Sequence, residues 1–132
     1  MEDKIYEITY DQLVSFLETN PDWKYVNARN WERNRFYGIY RDGKMISTFT
    51  LEFKKNNGIK FRCLVTLEEY KHQGVITNAV RRVMQAYPNA KFSVDCNDFS
   101  VGIFRKLGYK EKAVHHYSMW NAYLMEYEYP RS

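Results

Sequence analysis

The chain has 132 residues, a mass of 16.0 kDa and a formal net charge of +4. At this length one domain is the default, and roughly two thirds of the extended chain's surface is buried on folding, enough for a core without staples. Aromatic residues make up 17% and hydrophobic residues 45%, against 6 Gly and 3 Pro, which excludes a disordered, linker or fibrous chain.

Residues 4–9 (KIYEIT) alternate and predict a short strand. Thr9 and Gln12 have capping-box spacing, and Leu13, Phe16 and Leu17 mark one face of the helix that follows, ending near Asn20-Pro21. Residues 22–35 mix Trp23, Tyr25 and Trp31 with charges and read as a loop with one helical turn. Residues 36–40 and 45–53 are strands joined across Asp42-Gly43, a hairpin signal because the turn needs positive φ. A second turn at Asn56-Asn57-Gly58 leads into a strand over 59–67. Val75, Ile76, Ala79, Val80, Val83, Met84 and Tyr87 then repeat at helical spacing, with Arg81, Arg82 and Gln85 opposite and Pro88 closing the helix. Residues 90–95 form an apolar, buried-type strand, and residues 99–106 a helix that stops at Leu107-Gly108. Residues 109–118 and 121–129 are a final pair of strands. On the last, Tyr123, Met125, Tyr127 and Tyr129 alternate, as on a half-buried sheet face or a dimer edge. Helices following the fourth and fifth strands predict a mixed, partly parallel sheet in an α/β (α+β) domain.

No run approaches eighteen apolar residues, so no transmembrane helix is expected. The segment Met1-Glu-Asp-Lys lacks the basic region and apolar core of a signal peptide. Cys63 and Cys96 stand 33 residues apart without metal-ligand spacing, so they read as reduced thiols in a cytoplasmic protein with no metal. The mild basic excess suits an anionic ligand but is not the dense patch of a dedicated nucleic-acid binder.

Two segments carry chemistry. The first is Glu68-Glu69-Tyr70-Lys71-His72-Gln73-Gly74-Val75-Ile76-Thr77, where a strand gives way to a helix. Unpaired N–H groups and the positive end of the helix dipole favour phosphate there, and Gly74 allows close approach. The second is Asn97-Asp98-Phe99-Ser100 through Leu107-Gly108-Tyr109, a helix entered by Asn and left at Gly.

Together they resemble the GNAT superfamily of N-acyltransferases. The family's cofactor loop, Tyr-(Arg/Gln)-x-x-Gly-x-(Gly/Ala), is matched in part by Tyr70-Lys71-His72-Gln73-Gly74-Val75-Ile76. Asn97, Ser100, Phe104, Lys106, Gly108 and Tyr109 fall at the spacings of its second block. The element order agrees along nearly the whole chain, so residues 1–132 read as one GNAT-like acyltransferase domain. The resemblance implies a mixed sheet of about seven strands flanked by helices, with the fourth and fifth strands splayed. The pantetheine arm of acetyl-CoA would lie in the splay, on the backbone of Leu64, Val65 and Thr66. The pyrophosphate would sit over Lys71, His72, Gln73, Gly74, Val75, Ile76 and Thr77, and Asn97 would touch the cofactor from the fifth strand. Trp23, Tyr25 and Trp31 would fall on the acceptor side.

Two departures from the pattern matter. Ile76 replaces a small residue of the loop. Phe104 stands where many members carry the Tyr thought to protonate the departing thiolate, and Phe has no proton to give.

The implied reaction is attack of a primary amine on the acetyl thioester, which needs the amine neutral. Asp95, His115 and His116 are the candidates for taking its proton, with Glu68 and Glu69 nearby. The acceptor is left open among a small molecule, a peptide N-terminus, a lysine and an aminoacyl-tRNA, so nucleic acid enters only as acceptor. The protein is expected to be a monomer or homodimer. Two alternatives stay open: a non-catalytic GNAT-fold binding module for a protein or nucleic-acid partner, which Phe104 and Ile76 motivate, and a small basic nucleic-acid binder, which rests on charge alone.

Overall fold

The computed structural model describes residues 2–21, 28–98 and 100–127. Trp23, Tyr25, Phe99 and Tyr129 lie outside the described residues. Strand β1 (Lys4–Ile8) is followed by α1 (Tyr10–Glu18), then by β2 (Asn34–Arg41), β3 (Lys44–Lys54) and β4 (Gly58–Thr66). A single 3-10 turn (Glu68–Tyr70) precedes α2 (Val75–Ala86). Then come β5 (Lys91–Cys96), α3 (Val101–Lys106), β6 (Tyr109–His116) and β7 (Asn121–Tyr127). The strands form one seven-stranded sheet in the order β1-β2-β3-β4-β5-β7-β6. Of the neighbouring strands only β4 and β5 run parallel, and the connection through α2 makes the crossover that a parallel pair needs.

Local chemistry explains the punctuation. Thr9 Oγ1 accepts from the Gln12 N–H at 3.1 Å and Gln12 Oε1 accepts from the Thr9 N–H at 2.8 Å, a reciprocal cap that starts α1. Asp42 (φ 51°) and Gly43 (φ 79°) make the β2–β3 turn, and Asn56 (φ 59°) and Asn57 (φ 62°) the β3–β4 turn. These are residue types that tolerate the left-handed region.

Period-two alternation splits the sheet into two faces. On one, Ile59, Phe61, Phe92, Val94 and Met125 pack against Val75, Ile76, Ala79, Val80 and Val83 of α2 and Val101 and Phe104 of α3. Rings line this core: Phe61 lies 5.9 Å from Phe92 and 6.1 Å from Phe104, centroid to centroid. On the other face, Leu13, Phe16 and Leu17 of α1 cover Ile8 and Phe36. Further along that second face the residues are polar: Glu52, Lys60, Arg62 and Asp95. They are placed there by the cross-strand pairs Phe36↔Thr50, Thr50↔Arg62 and Glu52↔Lys60.

Candidate functional site

The parallel ladder between β4 and β5 is short. It runs from Gly58↔Lys91 to Phe61↔Val94 and stops. β4 continues to Thr66, while β5 turns to β7 through Asp95↔Leu124 and Cys96↔Tyr123. Residues 62–66 therefore border a gap on the side that faced β5. Residues 59–61 are buried, but every residue from 62 to 66 is only half-buried.

A bulge opens this gap. Between Thr48↔Val65 and Thr50↔Arg62, β4 spends one residue more than β3, and Cys63 takes φ +53°. Beyond the bulge the main-chain directions are settled. The Leu67 N–H donates to the Ile46 carbonyl at 2.9 Å, and the Val65 carbonyl accepts from Ser47 Oγ at 2.7 Å. Those groups point at β3, so alternation turns the N–H and C=O of Leu64 and Thr66 toward the gap. An extended amide chain laid there would meet the hydrogen-bonding groups that a fifth-strand neighbour would otherwise take. Of the three β4 residues expected to contact a cofactor, Leu64 and Thr66 offer their backbone to the gap and Val65 offers its backbone to β3.

At the mouth of the gap stands the start of α2. Gly74 is its N-cap, with φ +77°, and a Cβ placed there would meet nothing within 4 Å. No side chain caps the helix, so the first-turn amides have no side-chain partner. This combination fits a pyrophosphate: open space over the glycine, with N–H groups at the positive end of a 12-residue helix. Ile76 is packed in the core against β4 and β5. Its side chain points away from the loop surface, so its bulk does not obstruct an approaching phosphate. The rest of the loop is braced. Lys71 Nζ lies 2.8 Å from Glu68 Oε2. Gln73 Oε1 accepts from Arg41 at 2.8 Å, and its amide donates to the Glu69 carbonyl at 3.1 Å. Arg41 in turn holds both carboxylate oxygens of Asp3, at 2.8 and 3.0 Å. His72 is exposed with φ +64°.

On the far side of the gap, Asn97 serves its own helix. Its Oδ1 accepts from the Ser100 N–H at 2.9 Å and from Ser100 Oγ at 3.1 Å, and its carbonyl accepts from the Val101 N–H at 3.1 Å. Asp95 lies just past the last β4–β5 pair and is ion-paired at 2.7 Å with Lys60 Nζ. The two histidines are farther off, because β6 is an edge strand and β7 separates it from β5. The pairs His115↔Ala122 and Asp95↔Leu124 put His115 on the polar face with Asp95. His116 is on the helix-covered face, and its Nδ1 is 2.7 Å from Asn121 Oδ1. Asn121 and Tyr123 both donate to Asp98 Oδ1, at 3.2 and 2.7 Å. That bonding holds the Asp98 carboxyl below, and the Tyr123 phenol above, its ordinary range. Phe104 is fully buried, with its ring edge-on to Tyr109 at 5.0 Å.

Neither thiol is activated as a thiolate. Burial pushes Cys96 up to about 12, and burial also raises Cys63. Among the described residues, no group of three or more His, Cys, Asp and Glu side chains could hold a metal. None of their helices is long and apolar enough to cross a membrane.

One feature of the polar face has no signal in the sequence. Glu52 is a buried carboxylate, its side chain only 4% exposed. Arg62 Nε reaches its Oε1 at 2.7 Å, and an Arg33 Nη lies 3.7 Å from its Oε2. Burial alone would raise its pKa. The Arg62 hydrogen bond and the charges of Arg62, Lys54 and Arg33 outweigh that and hold it below the usual range. Trp31 lies among the same cations: the guanidiniums of Arg29, Arg33 and Arg62 stand 5.0, 5.9 and 5.9 Å from its ring centroid.

Comparison with known proteins agrees with this architecture. Residues 3–109 match the model of the acetyltransferase (GNAT) family. The fold is similar to that of the ribosomal-protein-S18-alanine N-acetyltransferase from Escherichia coli, with a TM-score of 0.74 at 12% identity, covering 96% of this chain and 93% of that one. It is also similar to mutant forms of the spermidine/spermine N-acetyltransferase SpeG from Vibrio cholerae (TM-score 0.71, 12% identity, 95% and 93% covered). A third similar structure is the IAA acetyltransferase from Bacillus cereus (TM-score 0.70, 12% identity, 97% and 100% covered). At these identities the likeness is one of fold. Comparison with curated proteins finds no match.

Proposed function

Since the chain belongs to the GNAT acetyltransferase family, we propose that it is an N-acetyltransferase that moves the acetyl group of acetyl-CoA to a primary amine. The observation that carries this reading is the gap beside β4. There the ladder to β5 ends at Phe61↔Val94, and the backbones of Leu64 and Thr66 are turned outward. That gap leads to the open glycine at the head of α2. Such a site holds a ligand by its amides and phosphates, so it asks little of side-chain identity.

Acetyl-CoA supplies a thioester, an acyl donor whose thiolate leaves readily. In the transfer the amine nitrogen forms a bond to the acetyl carbon and the carbon–sulfur bond breaks. The amine gives up one proton and the thiolate gains one. In this reading Leu64 and Thr66 orient the pantetheine arm, and the amides of Val75, Ile76 and Thr77, with Gly74, seat the pyrophosphate. Lys71 and His72 add N–H donors at the mouth, while Gln73 braces the loop through Arg41.

A lysine-type amine, with a pKa near 10.4, is almost wholly protonated at neutral pH. Asp95, at the apex of the gap and half exposed, takes up that proton, directly or through water. His115 is the second group on the same face, and His116 is held by Asn121. Phe104 cannot return a proton to the thiolate, so solvent does. Losing a positioned acid costs up to about 10²- to 10⁴-fold where that step limits.

Isothermal calorimetry with acetyl-CoA, paired with a thiol-release assay over a panel of amines, tests the reading. Saturable one-to-one binding and amine-dependent release are expected. No binding up to millimolar acetyl-CoA overturns it. Binding without release from any amine would favour a non-catalytic module instead.

A further inference from the structure

Among the described residues, the polar face beside the apex of the gap is basic beyond the part that α1 covers. Helices α2 and α3 cover the opposite face. An amine must therefore come to the thioester from the face that carries Arg62, Lys60 and Asp95. On that face the charges do not cancel. Lys60 is neutralised by Asp95 at 2.7 Å. Glu52, the carboxylate bound to Arg62, is shared with Arg33. Two guanidiniums thus meet one carboxylate, and among the described residues this cluster keeps a net positive charge. Arg33 is the looser partner, at 3.7 Å and 60% exposed, and Arg62 is anchored through Nε alone in that contact. Trp31 adds an apolar plane against the same groups.

We propose that the acceptor is a primary amine that also bears a carboxylate, docked by Arg62 and Arg33 beside Trp31. This rests on the acetyltransfer reading above and names its acceptor class. A planar fork of N–H donors matches a carboxylate in two-point fashion, which a lysine in the same place could not do. Glu52 is a positioning residue: buried and ionised, it holds Arg62 in the plane that the acceptor meets. Arg62 stands one residue past Phe61, the last residue of the β4–β5 ladder, so a bound carboxylate would hold its amine beside the gap. A polycationic acceptor would instead have to bring its second positive charge against two guanidiniums, a like-charge clash that selects against it.

The test compares acetylation of phenylalanine, phenylalaninamide, phosphoethanolamine and spermidine by the full chain, with acetyl-CoA binding measured in parallel. The amide's amine is the weaker base, so more of it is neutral, and intrinsic reactivity favours the amide. A kcat/KM for phenylalanine about tenfold or more above that of the amide is therefore a site effect. In Arg33→Gln, which changes an exposed side chain and should fold, the preference drops several-fold. In Arg62→Gln it is lost, with KM rising more than kcat falls, and with acetyl-CoA affinity unchanged in both variants. Arg62→Lys recovers only part of it. Equal or better use of the amide or of spermidine, or an unchanged preference in folded Arg33→Gln and Arg62→Gln, overturns the proposal while leaving the acetyltransferase reading intact. A clear preference for phosphoethanolamine overturns the carboxylate in favour of phosphate. Failure to bind acetyl-CoA sinks both readings together.

Discussion

At the scale of single residues, Gly74 and Phe104 make opposite demands. Gly74 needs its left-handed φ of +77°, and the space over it is empty. Gly74→Ala therefore meets no clash and costs stability only through backbone strain, about 1 kcal/mol. Gly74→Asp adds a carboxylate where the pyrophosphate is proposed to sit. Its acetyl-CoA affinity should fall at least about tenfold beyond that of Gly74→Ala, the scale of one charge-assisted contact reversed. Calorimetry on the pair separates the two effects, and equal affinities would remove the phosphate from this loop.

Phe104 is packed without exposure between Phe61 and Tyr109. The resemblance alone suggests that a tyrosine here would restore an acid. The packing says otherwise: Phe104→Tyr buries a hydroxyl among rings and should cost about 1–3 kcal/mol unless the phenol reaches the gap. Thermal unfolding checks this, and unchanged stability together with faster turnover would mean that the hydroxyl has found the sulfur's side.

At the scale of elements, the polar face of β3 and β4 carries a pH signature. The Glu52 carboxyl titrates below its usual 4.5. A carboxyl depressed on folding stabilises the folded state above its unfolded pKa, and that contribution disappears as pH falls through the folded value. Glu52→Gln should therefore be less stable than wild type by about 1 kcal/mol at pH 6 to 7, since Arg62 and Arg33 are partly solvated. The gap should begin to close near pH 4.5 and vanish at lower pH. Urea denaturation at several pH values measures it, and a difference that does not change with pH would deny the carboxylate this role.

The elements were legible because each has a local cause. The Thr9–Gln12 box, the Asp42-Gly43 turn and the 75–83 stripe appear in the structure as read, with edges moved by a residue or two. Ile76 was harder. Its place in a glycine-like position suggests obstruction, and only the inward face of α2 shows its side chain buried in the core. The loop's bracing is not legible either, because Gln73, Arg41 and Asp3 are distant in sequence and meet only in the folded chain. The Glu52–Arg62–Arg33 cluster was hidden for the same reason. Alternation shows which residues share a face, but the bulge at Cys63 shifts the register, and no short-range pattern announces it.

At the scale of the whole molecule, the site is a defect in a continuous sheet. Aromatic packing through Phe49, Phe61, Phe92 and Phe104 holds the sheet together on one side of the gap. Asp3 ties the start of the chain to Arg41, and its carbonyl accepts from Arg82 of α2 at 2.6 Å, so one residue links the β2–β3 hairpin to α2. The frame can then leave the β5-side edge of β4 unpaired beyond Phe61 while β3 still holds the other edge. Exposed main-chain groups on a strand are a liability unless something covers them. In the proposed acetyl-CoA complex the pantetheine arm covers them. The most direct measurement is amide hydrogen exchange on the full chain, with and without saturating acetyl-CoA. Protection should rise at Leu64, Thr66 and the first turn of α2, and stay unchanged at Val65, whose groups already face β3. Protection confined to other surfaces, or none along β4 at saturation, would contradict the account.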